Sequence, residues 1–282
     1  MTIDHRASLS TLLDTRYSCR AFLSKPVPRE DIETMLRMAQ RTPSWCNSQP
    51  WEVVVAGGDA IERLRTAVYE QAASGHLDPD IPGPAEYRGV YADRRRGAGY
   101  ALYNSLGIAR DDYARRTEQM LENYRFFGAP HVAIVTTDKA LGTYGAVDCG
   151  GYVATLLLAA QALGIAAVPQ AAVAMAAGAV RRELGISDER DIVCAISFAT
   201  PTRVTPPTPA APTGRAWTTP CGGWRSNHPQ GSWPGARGRR KVELATFPAR
   251  EDTPCTESKP RSCSAVGYRA PSPVNRTPWA WW

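Results

Sequence analysis

Arg41-Thr42-Pro43-Ser44-Trp45-Cys46-Asn47-Ser48-Gln49-Pro50-Trp51-Glu52-Val53-Val54-Val55 changes character halfway along. Its first part sets hydroxyls, amides and backbone donors between two prolines, with no aliphatic side chain, and reads as a loop. From Trp51 the β-branched run predicts a strand over 51–56, stopped by Gly57-Gly58. Just upstream, Ile32, Met35, Leu36 and Ala39 recur at i, i+3, i+4 and i+7, an amphipathic helix. Pro28 suits its first helical position, with Glu30 and Asp31 in the first turn. The unit is therefore helix, rigid polar loop, strand. Such a loop is a plain connection with Trp51 in the core, or a recognition element for a flat heteroaromatic ring with alternating donors and acceptors.

Outward from this unit the pattern continues. Leu9, Leu12 and Leu13 mark the inner face of a first helix ending near Arg16. Asp59 is expected to cap a helix running to about Ala73. Residues 75–100 hold Gly, Pro and charges and look like a long excursion, followed by polar helical stretches at 98–107 and 110–126. Val132–Thr136 reads as a strand, 145–163 as an apolar helix with Val153, Leu156, Leu157 and Ala160 in register, and Ile165–Val168 as a short strand. A helix over 174–184 closes on Gly185, and Ile192–Phe198 is a last buried strand. Alternating strands and helices around one sheet give α/β or α+β.

The charge is unevenly distributed. Residues 1–198 carry 21 Lys/Arg against 23 Asp/Glu, whereas residues 199–282 carry 12 against 4, so the formal net charge of +6 belongs to the tail. That tail also holds 14 of the 23 prolines and only six residues drawn from Val, Leu, Ile and Phe. Too little apolar surface is available there to offset ordering entropy, so 199–282 is expected to be a basic, mostly disordered tail beside a folded domain at 1–198. Gly238-Arg239-Arg240-Lys241 with nearby Trp233 is a solvated charge cluster without a nucleic-acid-binding motif; no nucleic-acid partner is expected. MTIDHRASLS has no signal-peptide shape and no stretch makes a clean membrane span, which points to a cytoplasmic chain. Cys19, Cys46, Cys149 and Cys194 lie far apart without a CxxC pair and are expected to be buried free thiols.

Two further segments carry candidate chemistry. In Arg16-Tyr17-Ser18-Cys19-Arg20, two guanidiniums four residues apart could converge on a phosphate if the chain between them bends or coils, with the Ser18 hydroxyl adding to them. The alternative is a solvated basic pair at a helix end. Pro169-Gln170-Ala171-Ala172 follows a buried strand, and its small residues would let backbone amides approach a ligand; a routine turn is the alternative. GxGxxG, Walker, GxSxG and metal-ligand spacings are absent, so any redox chemistry would need a cofactor.

Taken in order, these segments resemble the nitroreductase family of flavin enzymes. RYSCRAF looks like the family's phosphate motif and RTPSWCNSQPWEVVV like its A-P-S-x-x-N-x-Q-P-W segment. NYRFFGAPHVAIV, YGAVDCGGYVATLLLAAQALGI, VPQAAVA and IVCAISF fall where corresponding elements are placed. The resemblance implies an α+β fold with a central mixed sheet flanked by helices, and a homodimer with two FMN sites at its interface. It further implies FMN contacts from Arg16, Tyr17, Ser18 and Arg20, and from Pro43, Ser44, Trp45, Asn47 and Gln49 of the other subunit. Asn123 and the amides near Pro169, Gln170 and Ala171 complete that set. Tyr100, Tyr103 and Arg110, on an excursion that the resemblance extends over 75–115, would select the substrate. The implied activity is hydride transfer from NAD(P)H through FMN to an electron-poor acceptor such as a nitroaromatic or quinone. Alternatives are a dehalogenase or oxidase on the same fold, or a flavin-binding protein impaired by its altered C-terminus.

Beyond Phe198 the chain departs from the family pattern. Read in the alternative frame, the codons permitted for Thr205-Pro206-Pro207-Thr208 allow His-Pro-Ala-Asn, a segment the family has there. A shifted reading frame from about Ala199 is therefore expected, removing the family's late arginines and its C-terminal extension.

Overall fold

The computed structural model describes residues 4–200. The expected tail, its disorder and its shifted frame lie outside the described residues.

Four strands form one sheet: β1 (Trp51–Gly57), β2 (His131–Asp138), β3 (Ala166–Gln170) and β4 (Arg190–Ala199), in the order β1-β2-β4-β3. Each of the three ladders is antiparallel. The parallel component of the expected mixed sheet is a bridge between Ser18 and Ala167 at the β3 edge. Residues Val132 to Thr137 of β2 are all buried, so both faces of the sheet are covered. Alternation sorts them into two layers. Val132 and Ile134 join Ile61, Leu64 and Val68 of α3 (Asp59–Ala73) and Val180 of α8 (Ala177–Leu184). Ala133 and Val135 join Met35 and Ala39 of α2 (Arg29–Ala39) and Cys149, Tyr152 and Leu156 of α6 (Gly142–Ala162).

Several boundaries differ from expectation. Pro28 is the N-cap of α2 rather than its first residue, and its carbonyl accepts from Asp31 and Ile32. Gly58 caps α3, so Asp59 sits inside the helix, where its charge still meets the positive end of the dipole. The expected 174–184 helix starts three residues late, as α8, after a separate turn of helix, α7 (Ala171–Ala174), and Gly185 ends α8 in the left-handed conformation, as its position implies. The excursion expected at 75–100 is partly helical: α4 (Val90–Ser105) begins eight residues before the expected 98–107 helix, and α5 (Tyr113–Leu121) falls inside the expected 110–126 helix, without one buried residue in either. α4 shows no apolar period to read, whereas α5 sets Met120 and Leu121 against the core. Cys19, Cys149 and Cys194 are buried free thiols, but Cys46 is exposed. Among the described residues, no helix is long and apolar enough to cross a membrane.

The first helix, α1 (His5–Thr15), buries nothing. Leu9 and Leu13, expected on an inner face, are 51% and 55% exposed. One stripe of α6 shares this condition, with Tyr144, Val147, Gly151 and Ala154 exposed at intervals of three and four residues. On its other side α6 lies so close to β2 that a Cβ at Gly145 would strike the Thr137 hydroxyl.

His131 opens β2 in a structural role. Its Nε2 accepts the Val27 N–H at 3.0 Å, and its ring stacks on Phe198 at 5.3 Å between centroids. That acceptor exists only in the neutral ring, and burial pushes the His131 pKa down. The unfolded chain therefore takes up this proton first, so stability is complete above about pH 6.5 and falls as pH drops through that value. His131→Gln, which can keep an acceptor, is expected to narrow the gap in urea midpoint between about pH 7.5 and about pH 5.5. An unchanged gap would place the acid sensitivity elsewhere.

Candidate functional site

Past α1 the chain leaves the helix and lies against β3. Ser18 forms the bridge to Ala167, and the Cys19 N–H donates to the Ala167 carbonyl at 3.2 Å. The bent or helical arrangement considered for Arg16 and Arg20 does not form, because this edge of β3 offers the backbone a partner. Side chains alternate along an extended segment. Cys19 is buried, so Arg16, Ser18 and Arg20 share the opposite side. The Arg20 Nη1 donates to the Ser18 carbonyl at 3.4 Å, and burial pushes the guanidinium pKa down. A cation held partly out of water is stabilised by an arriving anion.

The end of β3 lies beside this segment. Pro169 and Ala171 are exposed, whereas Gln170 is 2% exposed and turns inward. Its Nε2 donates to the Asn123 carbonyl at 2.8 Å, and its Oε1 is hydrogen-bonded to the buried Ser197 hydroxyl. The Asn123 Nδ2 donates to the Met120 carbonyl at 2.9 Å. The side chains of Gln170 and Asn123 are thus engaged in internal contacts, leaving backbone groups to face outward here.

The loop between α2 and β1 is wired by its own polar groups. Ser44 Oγ accepts the Gln49 N–H at 2.9 Å, and the Trp45 N–H points at the Asp148 carboxylate of α6 at 3.1 and 3.3 Å. The Trp45 ring meets Tyr144 edge-on at 4.2 Å. Cys46, Asn47 and Gln49 have φ of 50°, 54° and 46°, a left-handed backbone that non-glycine residues adopt only when their surroundings hold it. Arg190 fastens the loop's end, donating through Nη2 to the Pro50 carbonyl at 3.0 Å and through Nε to Thr136 Oγ1 at 2.8 Å. Pro43, Trp45, Asn47 and Gln49 are exposed.

These groups stand far apart within one chain. β1 and β3 are opposite edges of the sheet, three strand spacings or about 14 Å across. α6 touches both regions, at Asp148 by the loop and at Gln161, whose Nε2 donates to Thr15 Oγ1 at 3.1 Å. Thirteen helical residues separate them, about 20 Å along the axis. The structure therefore joins the 16–20 segment to the 169–171 turn and keeps both away from the 43–49 loop.

A family model described as the nitroreductase family matches residues 13–200. The chain belongs to the nitroreductase family. Nitroreductase NfnB of Mycolicibacterium smegmatis is 37% identical over 198 residues, covering 70% of this chain and 84% of that protein. A 4-nitrobenzoate reductase of Nocardioides sp. is 34% identical over 188 residues, covering 65% and 76%. Among solved structures, the FMN-dependent nitroreductase NfnB from Mycobacterium smegmatis in complex with NADPH has a TM-score of 0.69 at 36% identity, covering 72% of this chain and 91% of its own.

In this family member the excursion is bracketed at both ends. At its entry, Asp78 accepts from the Gly178 N–H at 3.1 Å and from Gln71, and Asp80 accepts from Arg181 at 3.0 Å and the Ile192 N–H at 2.8 Å. At its exit, Asn123 is held by Gln170. Between these points the arginines lie over tyrosines: Arg110 over Tyr100 at 4.2 Å and Arg116 over Tyr103 at 5.0 Å. Two of the three expected substrate residues thus face each other. Asp148, Arg190 and Gln40 order the 43–49 loop, yet no local motif marks them, since each acts across a fold contact.

Proposed function

We propose that this chain is an FMN-dependent oxidoreductase of the nitroreductase type, taking hydride from NAD(P)H and delivering it to an electron-poor nitro acceptor, and that it works as a homodimer. The observation that carries this is the split site. Two half-sites lie at opposite edges of one sheet, joined by a helix whose exposed stripe is apolar. If two α6 helices pack antiparallel across a two-fold axis, the 43–49 loop of one chain meets the 16–20 segment of the other. The same packing gives the unpartnered stripe of Tyr144, Val147, Gly151 and Ala154 something to bury against. Leu9 and Leu13 of α1 are available to the same partner.

The residues present fit FMN. Arg16 and Arg20 supply a cationic pair for a phosphate, Arg20 partly desolvated, with Ser18 between them. Pro169 and Ala171 present a small, exposed strand end to a planar ring. When bound, FMN supplies hydride chemistry that no side chain here provides. The chain's residues anchor, orient and exclude water. Tyr100, Tyr103 and Arg110 stand on the segment proposed to cover the acceptor.

The test is the flavin content of the protein as purified, followed by NADPH oxidation with 4-nitrobenzoate and with iodotyrosine as acceptors. FMN near one per chain with turnover on the nitroarene is expected. Turnover on iodotyrosine alone would make it a dehalogenase, and colourless protein that rejects added FMN would refute the cofactor.

A further inference from the structure

We infer that Gln40, outside the loop and outside its motif, is a positioning residue that sets which atom of Asn47 faces the flavin. This rests on the proposed FMN site. Four side chains form a single relay. Trp51 Nε1–H donates to Gln40 Oε1 at 3.0 Å, Gln40 Nε2–H donates to Gln49 Oε1 at 2.8 Å, and Gln49 Nε2–H donates to Asn47 Oδ1 at 2.9 Å.

The direction of this relay is determined at one end. An indole nitrogen can only donate. Gln40 must therefore receive with its oxygen, which turns its amide nitrogen toward Gln49. Gln49 must in turn receive with its oxygen and give with its nitrogen. Asn47 is then obliged to accept with Oδ1, so Nδ2 is the atom left to point outward. Trp51 is itself held in the core, stacked on Tyr152 at 5.0 Å between ring centroids, so the origin of the relay does not wander.

The relay also has a mechanical role. Asn47 and Gln49 are left-handed, and a side-chain bond between them across one residue ties the two strained positions together. An outward-facing amide donor suits the carbonyl oxygens along the edge of an isoalloxazine ring; an outward-facing amide oxygen would oppose them. Gln40 thus decides between recognition and repulsion without touching the ligand.

Gln40→Glu tests the direction. An ionised carboxyl still accepts from Trp51 but cannot donate to Gln49. Gln49 must then rotate its nitrogen toward position 40 and its oxygen toward Asn47, and Asn47 must answer by turning Nδ2 inward. The whole relay reverses. Protonating that carboxyl restores one donor and one acceptor, hence the original direction. Gln40→Met keeps the volume and removes both bonds.

FMN dissociation constants are measured by flavin fluorescence on the full chain, for the parent and both variants, between about pH 7.5 and about pH 4, which crosses the ordinary glutamate pKa. The Trp51 indole N–H signal is followed by NMR in parallel. Near neutral pH, Gln40→Glu is expected to bind FMN about tenfold more weakly than the parent, and to recover affinity on acidification. Gln40→Met should lose affinity at every pH without that recovery. Parent-like affinity in Gln40→Glu overturns the relay, as does an equal, pH-independent loss in both variants, which would make position 40 simple packing. A parent that binds no FMN refutes the underlying flavin assignment instead, and is recognised because all three proteins then behave alike.

Discussion

Ala154→Arg is expected to yield a folded, colourless monomer. Ala154 is exposed on the protomer, in the apolar stripe of α6, so an arginine there meets only water while the chain is alone. In a two-fold pairing of α6 helices the same position falls near the axis. Two guanidiniums would then be desolvated together without a carboxylate, costing several kcal/mol per ion. Because each proposed flavin site takes one half from each chain, losing the partner removes half of both sites. Sedimentation velocity, far-UV circular dichroism and flavin absorbance measured on one sample test this. A yellow dimer formed by the Ala154→Arg chain would show that α6 is not the pairing surface. An unfolded variant is the result least compatible with the exposure of Ala154, and Val147→Arg, two turns away on the same stripe, is the second probe.

Removal of the cationic pair should act on the ligand alone. Arg16→Ala and Arg20→Ala each delete charge-assisted hydrogen bonds, and Arg20→Ala also deletes the attraction of an anion to a partly desolvated cation. Each substitution should weaken FMN binding by about 1.5–3 kcal/mol, or about 10- to 150-fold. Arg20 should give the larger effect, because burial already strains its charged form. Dimer mass and urea midpoint should stay near the parent values, since neither side chain packs a core. Fluorescence titration with FMN and with riboflavin separates the contributions. The variants should lose their discrimination between the two ligands, and retained discrimination would move the phosphate elsewhere.

What the sequence disclosed follows burial. α2, β1, β2, β4 and the inner register of α6 were legible because one or both faces meet a core and the apolar residues carry a period. The same logic misplaced Leu9 and Leu13, whose pattern is that of a buried face although nothing among the described residues covers them. An apolar stripe does not say which surface, if any, it packs against. α4 went unrecognised before residue 98 because it faces no core, and tyrosine–arginine contacts leave no hydrophobic period. At the candidate site the motif residues were legible, but their conformation was not. No local rule announces left-handed Cys46 and Gln49, nor that Gln170 and Asn123 would be engaged with each other. Gln40 and Asp148 were invisible because their partners lie 9 and 103 residues away.

The bracketing of the excursion bears on how such a protein can diversify. Asp78 and Asp80 clamp the point where the chain leaves the body, and Asn123 clamps the point where it returns. Apart from the Met120 carbonyl, which accepts from Asn123, the partners of these side-chain clamps belong to α3, α8, β3 and β4. The stretch from 81 to 119 therefore hangs from fixed sockets, with Met120 and Leu121 packed on the core at its exit. Its contents can be exchanged wholesale, by recombination or in the laboratory, while the two anchor points stay in place. Under the proposed role of this stretch over the acceptor, novelty in acceptor choice costs the scaffold little stability, and selection can explore substrates without first having to rebuild a core.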